Sequence, residues 1–285
     1  MREILIMHRL FLWFFIPGFY FAQASDVQYF GHRGCRGLLP ENTIESFQKA
    51  IDLGADGIEL DVVVNKDKQL VISHEPYFQS AFCWDSKGNT ITNEKQWNIY
   101  EMTQEEIRQF DCGSKIHPRF SEQIKQKSTK PLLQELFHAI DLAHTTILFE
   151  VKSSPSEYGK SQPYPLDFAK IIFSETVDSP HTSNLIFMSF DKQILEELHK
   201  LFPENRFIFL TYLPYKSAKS FVSQLSFTPH GLGMFYRSIT KRHARFLHKN
   251  HMKLFAWTVN SPKVQNNLLR KKVDGIITDF PDRIK

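Results

Sequence analysis

A (β/α)8 TIM barrel is the architecture this sequence predicts, on three observations. Eight short apolar runs recur along the chain, amphipathic stretches separate most of them, and 285 residues at 42% hydrophobic and 23% charged supply one large core. The runs are residues 29–31, 57–64 (GIELDVVV), 147–151, 185–189, 207–211, 231–235, 254–259 and 275–278. Gly, Asn, Asp or Pro bounds them, as expected of strands.

The chain opens on an address. Arg2 and Arg9 precede an apolar run, Leu10 to Phe21, and Ala22-Gln23-Ala24 has the A-x-A form of a cleavage site. Residues 1–24 therefore read as a secretory signal peptide and residues 25–285 as the mature domain, exported to a periplasm or secreted. The run is interrupted by Pro17-Gly18 and is shorter than the ~20 residues of a spanning helix. No stable membrane insertion is expected after cleavage.

Thr43 to Leu53 places Ile44, Phe47, Ala50 and Ile51 on one helical face, with Thr43 as N-cap. Asp191 to Leu201 repeats that pattern with Ile194, Leu195, Leu198 and Leu201. Leu70 to Ser73 breaks the alternation, because it follows the second strand too soon for a parallel crossover. It is expected to fold back as a hairpin about Lys66-Asp67, which would set His74 opposite Glu59. Residues of about 75–130 lose the regular pattern and read as a small insertion on the active face. Export implies an oxidising compartment. Of three cysteines, Cys83 and Cys112 share the insertion and can pair, and an odd count leaves one thiol free. The formal net charge of +4 reads as spread along the chain, so a small molecule is expected as ligand and nucleic acid is not.

Chemistry gathers at strand ends. Glu59 and Asp61 are two residues apart in a strand, so both face the barrel interior while Ile58, Leu60 and Val62 face the helices. Alone, the two acids read equally as a salt-bridged plug. Glu150 and Lys152, inward by the same parity, put four charges in one layer and favour a site. Crowded carboxylates raise each other's pKa, and a hard divalent cation, Ca²⁺ or Mg²⁺, removes that cost. His32-Arg33 lies between glycines at the end of the first strand, where barrel active sites form. His32 can move a proton near neutral pH, and Arg33 offers a planar fork to a phosphate. His74 reaches the same rim, and two imidazoles across a metal site suit phosphodiester cleavage. Trp257, near the mouth, reads either as a pocket wall or as a core side chain.

In order, Gly31-His32-Arg33-Gly34, Pro40-Glu41-Asn42-Thr43, Gly54-Ala55-Asp56, Glu59-x-Asp61 and His74 resemble the signature of the glycerophosphodiester phosphodiesterase family. The likeness continues through Phe149-Glu150-Val151-Lys152, Met188-Ser189-Phe190, Trp257-Thr258-Val259-Asn260 and Asp274 to Pro281, nearly the whole mature chain. The resemblance implies a barrel with an insertion after the second histidine motif. It also implies hydrolysis of glycerophosphodiesters to sn-glycerol 3-phosphate and an alcohol, in phospholipid and glycerol metabolism. By the same resemblance His32 and His74 are the acid/base pair, Glu59, Asp61 and Glu150 hold Ca²⁺ or Mg²⁺, and Arg33 and Lys152 contact the phosphate. One departure is His74-Glu75, where the family usually has His-Asp. Two rivals remain at this stage: a related phospholipase D-like barrel acting on lysophospholipids, and a catalytically silent periplasmic protein that only binds glycerophosphodiesters.

Overall fold

The computed structural model describes residues 27–213 and 216–283, so the signal-peptide reading of residues 1–24 falls outside the described residues. In chain order the elements are β1 (Gln28–Gly31), α1 (Ile44–Asp52), β2 (Gly57–Val64), β3 (Leu70–Ile72), α2 (Gln104–Ile107), α3 (Leu133–Ala139) and β4 (Thr146–Val151). They continue with α4 (Pro165–Thr176), β5 (Leu185–Ser189), α5 (Lys192–Leu201), β6 (Arg206–Thr211), α6 (Ala218–Val222) and β7 (Gly231–Phe235). The last are α7 (Lys241–Lys249), β8 (Lys253–Trp257), α8 (Pro262–Arg270) and β9 (Gly275–Thr278).

All strands but β3 run parallel, and β1 pairs with β9 on one side and β2 on the other, which closes an eight-stranded barrel. Each predicted run is a strand within one or two residues. After β9 the described chain makes a short 3₁₀ turn, Pro281–Arg283, rather than an eighth outer helix.

Strand parity divides the core in two. Ile58, Leu60, Val62, Phe149 and Phe187 point outward and pack with helix residues such as Phe47, Phe168 and Leu198. Phe30, Leu148, Ile186, Ile208, Phe255 and Ile277 point inward and fill the barrel. The Phe30 and Phe255 rings meet at 6.0 Å. Gly275 makes room for them: a Cβ there would lie 2.3 Å from the Phe255 ring. The helices are fixed at their starts. Thr43 accepts from the Ser46 N–H at the head of α1, and Asp191 accepts from the Gln193 N–H at the head of α5.

The β2–β3 hairpin forms, but its register differs from the expected one. Val62 faces Ile72 and Val63 faces Val71, and the Ser73 N–H donates to the Asp61 carbonyl at 2.9 Å. Ser73, not His74, therefore lies level with the acids, and His74 follows the end of the strand. The turn explains the shift. Asn65 pairs with Gln69 across three residues, and Lys68 takes a left-handed conformation at φ 57°. A three-residue loop of this kind displaces the pairing by one position relative to a two-residue turn.

Between β3 and α3 the chain builds a satellite with its own apolar cluster. Phe78, Ile91, Ile99, Ile107 and Phe110 pack on Val63 and Val71, and Phe78 stacks on Phe110 at 3.9 Å. Cys83 and Cys112 form a disulfide there, and Cys35 is the free cysteine. Cys35 is buried, and burial pushes its thiol up to about 11, so it is an inert core group. The disulfide joins residues 29 apart in sequence, and loop-closure entropy for that length predicts about 3–4 kcal/mol of stabilisation. Replacing both cysteines by serine is expected to lower the unfolding free energy by that amount relative to the oxidised protein. A change below about 1 kcal/mol would show that the aromatic cluster holds this segment unaided.

Candidate functional site

The acids come from neighbouring strands. Glu59 and Asp61 leave β2 on one face, and the β2–β4 register sets Asp61 directly beside Glu150. One carboxylate oxygen from each of Glu59, Asp61 and Glu150 lies within 4.8 Å of the others, and all three residues are buried. Glu59 Oε1 and Asp61 Oδ1 are buried without a hydrogen-bond partner. Lys152 stands within ion-pair reach of Asp61 Oδ1, but Glu59 Oε1 has neither a hydrogen bond nor an ion pair among the described residues, and a buried carboxylate oxygen left so argues for a cationic ligand. Burial, then Asp61 and Glu150, push the Glu59 carboxyl well above the usual range. Burial works the same way on Asp61, but His74, Lys152 and Arg33 outweigh it and hold this acid ionised. Lys152 Nζ is ion-paired with Glu150 and lies 3.5 Å from Asp61 Oδ1.

The Gly-His-Arg-Gly turn leaves β1 on the hydrogen bond from the His32 N–H to the Thr278 carbonyl, 2.7 Å. Arg33 (φ 52°) and Gly34 (φ 82°) are both left-handed. A Cβ on Gly34 would lie 2.4 Å from Ser46 Oγ, so only glycine lets this turn press against α1. The reversal aims the Arg33 N–H at Glu59 Oε2, 2.8 Å away. The Arg33 side chain bonds Glu41 at 2.7 Å and its Nε lies 3.4 Å from Asp61 Oδ2. Glu41 also pairs with Arg36. It thus serves the two guanidiniums and is not part of the carboxylate trio. Burial alone would raise the Glu41 pKa, but Arg33 and Arg36 bring it down to about 2.

Each imidazole has one nitrogen committed. His32 Nδ1 lies 2.6 Å from Asp279 Oδ1. Burial opposes ionisation of Asp279, but His32, Arg36 and Asn260 hold it far below the usual carboxylate range. An ionised Asp279 can only accept, so Nδ1 carries the proton and Nε2 is free, 3.9 Å from Glu59 Oε2. Burial and Arg36 lower His32 to about 4 against the pull of Asp279, which makes it a neutral imidazole at physiological pH. His74 Nδ1 lies 2.6 Å from Glu75 Oε1, so the longer acid of this His-Glu pair still reaches the ring.

His32, His74, Arg33, Glu59, Glu150 and Lys152 line one cavity of about 660 Å³ at the strand ends. Its other wall is aromatic: Trp257 meets Phe190 at 5.4 Å and Phe235 at 5.6 Å. Trp257 both walls this cavity and packs on the inner barrel core. The sequence reading gave no site role to Asp279, Arg36 or Asn260. Arg36 Nε donates to Asp279 Oδ1 at 2.7 Å, Asn260 Nδ2 to Asp279 Oδ2 at 2.6 Å, and Asn42 Nδ2 to Asp61 Oδ2 at 2.9 Å. Asp279 directly follows β9, a position where barrels deliver site residues, and that was the available signal.

Fold and site together define a barrel hydrolase built for phosphate esters. The chain belongs to the glycerophosphoryl diester phosphodiesterase family, which it matches over residues 32–283. It is 32% identical over 260 residues to a glycerophosphodiester phosphodiesterase of Caldanaerobacter subterraneus subsp. tengcongensis, covering 89% of this chain and 94% of that protein. A solved glycerophosphodiester phosphodiesterase from Thermotoga maritima superposes with a TM-score of 0.66 at 25% identity, covering 90% of this chain and 96% of that one. An Oleispira antarctica phosphodiesterase, solved in complex with the product sn-glycerol-3-phosphate, shares the fold at a TM-score of 0.73 and 21% identity, covering 90% and 94%.

Proposed function

We propose that this protein hydrolyses glycerophosphodiesters to sn-glycerol 3-phosphate and an alcohol, with Glu59, Asp61 and Glu150 holding one Ca²⁺ or Mg²⁺. The observation that carries this reading is the convergence of three acids and two singly committed imidazoles on one cavity. All-oxygen donors, two of whose buried oxygens have no hydrogen bond, fit a hard cation. Bound there, it would neutralise the crowded acids and draw charge from a phosphate oxygen.

His32 is the proton acceptor: Asp279 fixes its tautomer and steadies the imidazolium that forms, leaving Nε2 for the nucleophile's proton. His74, oriented by Glu75, gives its proton to the alcohol oxygen as the P–O bond breaks. Lys152 and Arg33 meet the phosphate oxygens, and Trp257 with Phe190 and Phe235 walls the head-group side against water. The signal-like residues 1–24 and the Cys83–Cys112 bond support export to a periplasm or beyond the cell.

A coupled assay for glycerol 3-phosphate over glycerophosphocholine, glycerophosphoethanolamine and glycerophosphoglycerol tests the reading. Turnover is expected that EDTA abolishes and added Ca²⁺ or Mg²⁺ restores. Calorimetric binding of these diesters with no glycerol 3-phosphate formed would favour a silent binding protein instead, and turnover indifferent to EDTA would remove the cation.

A further inference from the structure

The even spread of charge expected from the net value does not hold. From residue 205 to residue 273 there is no Asp or Glu, while the same stretch carries thirteen Lys and Arg. The overall charge is only +4, so the remainder of the protein is acidic by nine charges. The acid-free stretch folds as β6, β7 and β8, which are neighbours in the sheet, and the helices α6, α7 and α8. It is therefore one continuous side of the barrel.

Ten of the thirteen cations are exposed. Among the described residues none of the thirteen is ion-paired, and the one pair that reaches this side is His248 with Asp274 at 2.8 Å. Lys241 and Arg242 sit in the first turn of α7 and Lys263 in that of α8, while Lys219 is the second residue of the five-residue α6. Cations at helix starts oppose the helix dipole, so local folding does not favour them there. Barrel helices begin at the mouth end, so these charges lie at that end of the barrel, and exposed Arg237 lines the cavity itself. Lys241 and Arg245 continue the charge into a groove of about 340 Å³ shared with Arg270 and Lys272.

Beside these cations stand three of the eight large apolar side chains that the described surface leaves open. Tyr212 is 60% exposed, Leu213 51% and Phe190 43%. Tyr212 stacks on Phe235 at 5.3 Å, and Phe190 meets Trp257 at 5.4 Å, so the apolar edge runs into the cavity wall. Unpaired cations around exposed aromatic and aliphatic groups match the headgroup region of an anionic bilayer, which offers phosphates to one and acyl chains to the other. Duplex nucleic acid would satisfy the cations and leave Leu213 and Phe190 in water.

We propose that the β6–α8 side of the barrel, with the aromatic edge of the cavity mouth, docks on an anionic lipid surface. Docking turns the mouth toward the bilayer and is independent of the hydrolytic chemistry. The test is sedimentation of the processed protein with vesicles of phosphatidylcholine alone and with about one third phosphatidylglycerol. Binding is expected to the anionic vesicles, not to the neutral ones, and to fall with salt. A variant carrying K219E, K241E, R242E and K263E is expected to partition at least ~10³-fold more weakly, from the attraction each of the four basic side chains adds near such a surface. That variant should release glycerol 3-phosphate from soluble glycerophosphocholine at the wild-type rate, which separates loss of docking from loss of catalysis. Three outcomes would overturn the proposal: no binding of the wild-type protein to anionic vesicles, equal binding by the fourfold variant, or tighter binding to duplex DNA than to the vesicles.

Discussion

His32→Ala and His74→Ala are each expected to fold with a near-wild-type melting transition and to lose about 10²–10⁴ in kcat on glycerophosphodiesters. The fold survives because neither ring is a packing element. His32 borders the cavity, and after its removal Asp279 keeps Arg36 and Asn260 as donors, so no buried carboxylate is stranded. His74 lies in the loop after β3, and its recorded side-chain bond is to Glu75, itself part-exposed. The rate falls because, among the described residues, no imidazole besides His32 and His74 borders the cavity. A companion variant tests what Asp279 does for His32. Asp279→Asn keeps the shape, and its Oδ1 can still accept from His32 Nδ1 and Arg36 Nε, but it lacks the charge that steadies the imidazolium. Rate loss in Asp279→Asn close to that of His32→Ala, with KM little changed, is the expected pattern. Near-wild-type kcat in either histidine variant would end the acid/base assignment.

The barrel and its acids were legible because both follow from a period of two. Strand residues alternate between helix layer and interior, so Glu59, Asp61 and Glu150 announced their direction before any contact was known. The hairpin was legible, but its register was not. One extra residue in the Asn65–Gln69 turn, with Lys68 left-handed, shifts every pair by one, and nothing in Lys-Asp-Lys marks that conformation as Gly would. The partners of the site were harder still. Asp279 is 247 residues from His32 and meets it only because β9 closes on β1. Loop residues such as Arg36 and Asn260 carry no periodicity to betray their aim. Charge showed the opposite failure. The total of +4 conceals an acid-free side, because the rest of the protein cancels most of it.

Glu59→Gln is expected to lower kcat/KM by about 10³, the rate equivalent of several kcal/mol of transition-state charge stabilisation supplied at a cation site. The variant should also uncouple stability from divalent cations. In the wild-type protein, Ca²⁺ or Mg²⁺ at 100 times its Kd is expected to stabilise the fold by about 2.7 kcal/mol, since the unfolded chain does not assemble the trio. Glu59→Gln should give little of that response. Without cation, the two proteins order the other way. Glu59 is the acid that burial and its two carboxylate neighbours disfavour most in charged form, so replacing it with a neutral isostere relieves repulsion that Arg33 does not cancel. The metal-free variant is thus expected to be at least as stable as the metal-free wild type. A purely structural Glu59, serving only to accept from the Arg33 N–H, predicts the reverse: loss of stability in both conditions and an unchanged cation response. Thermal melts of both proteins with EDTA and with added Ca²⁺ distinguish the two, independently of any activity measurement.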